Sequence, residues 1–84
     1  MPTISRFYGM SIKMYFREKE HDPPHIHVIY GEYMGEIEIS TGRMLVGDLP
    51  RRALRMIDEW LALHRDELAR MWDSQRIENL APLD

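Results

Sequence analysis

The residues best suited to chemistry lie in one short run, His21-Asp22-Pro23-Pro24-His25-Ile26-His27. Residues i and i+2 of a β-strand share a face. His25 and His27 therefore project together, about 7 Å apart along the strand. Two imidazoles beside a carboxylate make a ligand set for zinc or another first-row divalent ion. Without a metal, a pair of histidines can move protons to and from a ribose hydroxyl and its leaving oxygen, as RNA cleavage requires. The plainer alternative is structural. Cross-strand His–Glu pairs decorate many sheets, at roughly 0.2–1 kcal/mol each, and would couple the face to pH near neutrality.

The strand that positions these histidines runs from His25 to Tyr30. Pro23 and Pro24 exclude the preceding segment from a central ladder. Gly31-Glu32 is a two-residue hairpin loop, because glycine accepts positive φ, and a third strand follows over residues 33–40. This turn pairs Tyr30 with Tyr33, Val28 with Gly35 and Ile26 with Ile37 on one face. On the other face it sets His27 opposite Glu36 and His25 opposite Glu38. The metal-ligand candidates are thus His25, His27, Glu36 and Glu38, with His21 reaching in from the adjoining loop. An earlier strand over residues 11–18 alternates Ile12, Met14 and Phe16 with Lys13, Tyr15 and Arg17. It lends Tyr15 and Arg17 to the histidine face, so the catalytic candidates are His25, His27, Tyr15 and Arg17.

Residues 3–7 form a short edge strand before a turn at Tyr8-Gly9. Thr41-Gly42 is read as a second two-residue turn into a short strand over residues 43–46, which pairs Ile39 with Met44 and Ile37 with Val46. The expected sheet core is Ile12, Met14, Phe16, Ile26, Val28, Ile37, Ile39, Met44 and Val46. A helical region starts near Pro50, where a missing N–H costs nothing, with Asp48 just before the positive helix end. Leu54, Ile57, Leu61, Leu68 and Met71 recur at helical spacing, with His64 filling the gap. Ala53, Met56, Trp60, Leu63 and Trp72 widen the stripe. The pattern reaches about Ser74, roughly 37 Å of helix, so a bend near His64-Arg65-Asp66 or an overhang is expected. Asn79 to Asp84, with Pro82, is expected to be loose. The fold class is α+β: an antiparallel meander of three to four strands packed against a long or bent C-terminal amphipathic helix, in one domain over residues 1–84.

Composition narrows the function. The chain has 84 residues and no cysteine, which removes disulfides and thiolate metal sites and fits the cytoplasm. No signal peptide or membrane span is expected. The net charge is −3, with +1 over residues 1–55 and −4 over residues 56–84. The broad basic face of a nucleic-acid binder is absent. Gly-rich phosphate loops, a Gly-x-Ser-x-Gly elbow, a Cys–His pair and His-Glu-x-x-His are absent too. No organic cofactor is therefore expected. Arg51, Arg52 and Arg55 crowd the first helical turns against the helix dipole, which makes a partner carboxylate or phosphate attractive. Trp60 and Trp72 are core or interface anchors, and if exposed on the protomer they predict association.

Several motifs in combination resemble one bacterial family, the domain-of-unknown-function family 4160. They are the opening Met-Pro-Thr-Ile-Ser-Arg-Phe-Tyr-Gly, Met14-Tyr15-Phe16, the Pro-Pro-His-Ile-His run and the Thr41-Gly42 turn. Leu49-Pro50-Arg51-Arg52-Ala53-Leu54 and Trp60 with Leu63-His64-Arg65-Asp66-Glu67-Leu68 complete the set. The resemblance implies a small single-domain protein, often encoded beside another small protein of the family numbered 2442 in a toxin–antitoxin-like arrangement. It brings no established catalytic residues. The first reading is therefore a protein-binding component of such a pair, or a homodimer, using Arg51, Arg52, Arg55, Trp60 and Trp72, and the balance leans away from an enzyme. A small His-dependent, metal-assisted ribonuclease or hydrolase is the second reading. Direct DNA binding as a regulator is the third, with weak support from the basic helix start.

Overall fold

The computed structural model describes residues 3–15 and 23–83. Five strands form one antiparallel meander in the order β1-β2-β3-β4-β5. They are β1 (Thr3–Phe7), β2 (Met10–Lys13), β3 (His25–Tyr30), β4 (Tyr33–Glu38) and β5 (Met44–Asp48), followed by α1 (Arg51–Ser74). The α+β class and the meander are as read from the sequence, with one strand more than expected.

Turn chemistry sets the first registers. Tyr8 and Gly9 both have positive φ, at 49° and 81°, the twist-matched pair of a type I′ hairpin. Gly31 has φ of 60°, as the first position of a type II′ turn requires. The β3–β4 pairing is the expected one throughout: His25↔Glu38, Ile26↔Ile37, His27↔Glu36, Val28↔Gly35 and Tyr30↔Tyr33.

The β4–β5 connection differs. Gly42 N–H bonds to the Glu38 carbonyl and Glu38 N–H to the Arg43 carbonyl, both at 2.8 Å. The loop is thus Ile39–Gly42, with Gly42 at φ 78°, and not the two-residue Thr41-Gly42 turn. Ile37 pairs with Met44 and Glu36 with Val46, across a register shift. The shift turns Val46 out of the expected core, to 58% exposure. Leu45 is the extra residue of the bulge.

The inner sheet face buries Met10, Ile12, Ile26, Val28 and Ile37 against Ala53, Ile57, Trp60, Leu61, Leu68, Met71 and Trp72 of α1. Met14 and Ile39 are buried as expected and Met44 packs at the margin. Phe16 lies outside the described residues. Strand β2 ends at Lys13, shorter than the expected strand over residues 11–18. The helix runs unbroken through His64-Arg65-Asp66, where a bend was one of the two expectations and an overhang the other. Arg65 Nε there donates to the Ile39 carbonyl at 2.8 Å, tying mid-helix to the β4–β5 loop. Leu63 points out of the stripe and is exposed.

The tail is docked, where the sequence predicted it loose. Leu80 N–H donates to the Ile4 carbonyl at 2.7 Å, covering part of the β1 edge. Trp60 Nε1–H donates to the Ala81 carbonyl at 2.9 Å, and His64 Nε2 meets the same oxygen at 3.0 Å. Ile77, Leu80 and Leu83 pack on the core. In so small a domain this burial adds to a thin core. No helix is long and apolar enough to cross a membrane among the described residues.

Candidate metal and acid–base site

The histidines reach the outer sheet face by the expected geometry, but their settings differ. His25 begins β3 and is 4% exposed, with its ring 5.2 Å from the Trp72 indole. His27 is half-buried. Its ring lies 5.2 Å from that of His25 and 4.4 Å from Tyr15, edge to face.

The Pro23-Pro24 corner fixes the His25 ring. His25 Nδ1 lies 2.9 Å from the Pro23 carbonyl. That oxygen can only accept, so Nδ1 carries the proton and donates it. Nε2, the other ring nitrogen, sits 3.6 Å from Glu36 Oε1. A carboxylate oxygen and an imidazole lone pair at this distance repel unless a proton or a metal ion lies between them. An imidazole held through its other N–H by a backbone carbonyl is the usual setting of a metal-binding histidine.

The ligand atoms of His25, His27 and Glu36 all lie within 4.8 Å of one another. Bonds of about 2.0–2.1 Å at the tetrahedral angle place two ligand atoms about 3.3 Å apart. The His25–Glu36 separation is within a few tenths of an ångström of that. Two histidines and one carboxylate leave coordination positions open.

Glu38, expected with this group, is drawn elsewhere. Its Oε1 accepts from the Thr41 hydroxyl at 2.6 Å, so it closes the β4–β5 loop. Arg17 and His21 lie outside the described residues. Arg51, Arg52 and Arg55 are exposed at the start of α1, apart from the histidine group. Trp60 and Trp72 are 0% and 2% exposed. They are core residues of the protomer, so the expectation of partner anchors is corrected: the helix stripe they widen is the stripe that packs on the sheet. The sequence reading missed the Pro23 carbonyl and the Trp72 indole, which orient and cover His25. The His25–Pro23 spacing was legible; the approach of Trp72, 47 positions away, was not.

Surface clefts run along the second half of α1 and the tail, lined by Glu67, Arg70, Met71 and Arg76 among others. They do not hold His25, which is enclosed, or His27, which is half-buried on the outer sheet face. No curated protein and no solved structure shows significant similarity to the chain. The model of one family, described as a domain of unknown function (DUF4160), matches residues 9–73, which span every strand from β2 onward, both site histidines, Glu36 and nearly all of α1. The chain belongs to that DUF4160 family.

Proposed function

We propose that the chain is a divalent-metal-binding protein whose His25, His27 and Glu36 hold zinc or a similar ion for hydrolysis, with RNA as the first substrate to test. One observation carries the reading. The Pro23 carbonyl fixes the His25 tautomer and leaves Nε2 facing Glu36 at a ligand-to-ligand distance. An ion held by His25, His27 and Glu36 would supply Lewis acidity at a phosphoryl oxygen and would lower the pKa of bound water. His27 and Glu36 are half-buried, so the site can be reached from the open face. Tyr15, against His27, offers a phenol to a bound phosphate.

Dialysis against zinc followed by elemental analysis should give one ion per chain for the wild type and none for His25→Ala/His27→Ala. An RNA oligonucleotide should be cut by the first protein only. A wild-type chain that emerges free of metal overturns the metal reading. Zinc bound without cleavage removes the hydrolytic role.

A second reading has its own observation. The solvent face of α1 carries Arg51, Arg52, Arg55 and an exposed Leu63. These suit a protein partner, as a component of a toxin–antitoxin-like or regulatory pair would need. Co-expression with a small protein of the family numbered 2442 should yield a complex that Arg51→Glu/Arg52→Glu/Arg55→Glu disrupts. Two species that migrate separately at micromolar concentration would count against it.

A further inference from the structure

A row of side chains crosses all five strands on the face away from α1. The pairings Arg6↔Ser11, Ser11↔Ile29, Ile29↔Met34 and Met34↔Asp48 place it in register. It reads cation, hydroxyl, isoleucine, methionine, carboxylate. Arg6 and Asp48 are exposed and Met34 is 59% exposed. The next row repeats the polarity. Lys13 pairs with His27, His27 with Glu36, and Glu36 with the exposed Val46. The face is thus basic over β1–β2, acidic over β4–β5, and apolar at Ile29, Met34 and Val46. Antiparallel sheets often show one face to water, but a face meant only for water has no need of three neighbouring apolar side chains.

We propose that a second copy of this chain packs on this face, with the two-fold axis running along β3. A two-fold contact uses the same patch twice, so the patch must complement itself. An axis along β3 reverses the strand order and lays β1–β2 of one copy over β4–β5 of the other. Arg6 then faces the partner's Asp48, Lys13 faces the partner's Glu36, and Ile29 faces the partner's Ile29, so the dimer covers the row of His27 and Glu36 and the proposed metal site is open to substrate only in the monomer. An axis across the strands would set Arg6 on the partner's Arg6, which like-charge repulsion disfavours. Strand spacing and rise give a footprint of roughly 20 Å by 17 Å per copy. That is about 340 Å² per copy, well below the roughly 800 Å² per partner of a stable interface, so the contact is weak and transient, with a dissociation constant of about 100 μM.

Sedimentation velocity from about 5 to about 500 μM reads this directly. EDTA in every sample separates the outcome from the metal site. The wild type should shift from monomer to dimer across the range. Met34→Asp should remain monomeric. Arg6→Asp and Asp48→Arg should each weaken association about tenfold or more, and an equimolar mixture of the two should restore it, because each then supplies the charge that the other needs. All the altered residues are solvent-facing, and circular dichroism checks that each variant is folded. A wild type that stays monomeric, a dimer indifferent to Met34→Asp, or charge variants that fail to rescue one another would each overturn the proposal.

Discussion

Gly47→Ala is expected to lower the melting temperature by at least about 12–24 °C, whereas Gly31→Ala should lower it by about 4–16 °C. Both glycines have positive φ, 93° at Gly47 and 60° at Gly31. An alanine in such a conformation costs about 1–2 kcal/mol. The difference is space. A Cβ at Gly31 meets nothing within 4 Å, but at Gly47 it falls 2.2 Å from the Met34 carbonyl oxygen and 2.9 Å from the Gly35 Cα. Those are backbone atoms of the paired strand, so no rotamer change relieves the overlap. The β4–β5 ladder must part, and with it the bulge that turns Val46 outward. A domain of this length has about 4–12 kcal/mol of stability. Conformational strain together with a broken edge ladder takes about 3 kcal/mol or more of that. Near 4–8 °C per kcal/mol, melting should fall by more than about 12 °C. Thermal unfolding followed by circular dichroism compares the two variants. Equal melting temperatures would show that the close approach of β5 to Met34 is wrong.

That bulge also marks where the sequence stopped being readable. The β3–β4 register was legible because two independent signals agreed: the Gly31-Glu32 turn and the period-two pattern of Ile26, Val28 and Ile37. At Thr41-Gly42 the same logic failed. A glycine with positive φ ends a four-residue loop as readily as it fills a two-residue one, and both leave Met44 on the core side. The bulge at Leu45 then turns Val46 outward, and a lone valine is too weak a signal to place a bulge. The tail failed for another reason. Residues 79–84, with Pro82, read as loose, but Trp60 Nε1–H, buried in the core, needs an acceptor, and the Ala81 carbonyl supplies it. A buried indole donor 21 positions away is a tertiary demand that no local pattern announces.

The site shows the same division. That His25, His27 and Glu36 share a face follows from strand parity alone. That Glu38 leaves the group does not, although Thr41 three residues on is a natural side-chain partner at a turn. Nor does parity set burial. His25 and His27 occupy equivalent strand positions, yet His25 is enclosed by Trp72 and the Pro23 carbonyl while His27 meets solvent. This asymmetry is what makes the pair resemble a ligand set more than surface decoration. Two exposed cross-strand pairs would have no need of an oriented tautomer.

Zinc at about one hundred times its dissociation constant is accordingly expected to raise the melting temperature of the wild type by roughly 10–20 °C relative to EDTA. A ligand that binds only the folded chain adds about 2.7 kcal/mol at that ratio, and the small domain converts each kcal/mol into about 4–8 °C. His27→Ala is the decisive variant, because His27 is half-buried and its removal spares the packing of His25 on Trp72. The gain should vanish while the melting temperature in EDTA stays within a few degrees of the wild type. Glu36→Gln should keep part of the gain, since an amide oxygen can still ligate but brings no charge. The alternative occupant of the His25–Glu36 gap is a proton, and the two make opposite forecasts. A proton between Nε2 and Oε1 stabilises the fold without metal, so zinc would leave the wild-type melting temperature unmoved and Glu36→Gln would lower it in EDTA. That pattern would leave the histidine face as structural pairing, with the fold intact and its chemistry removed.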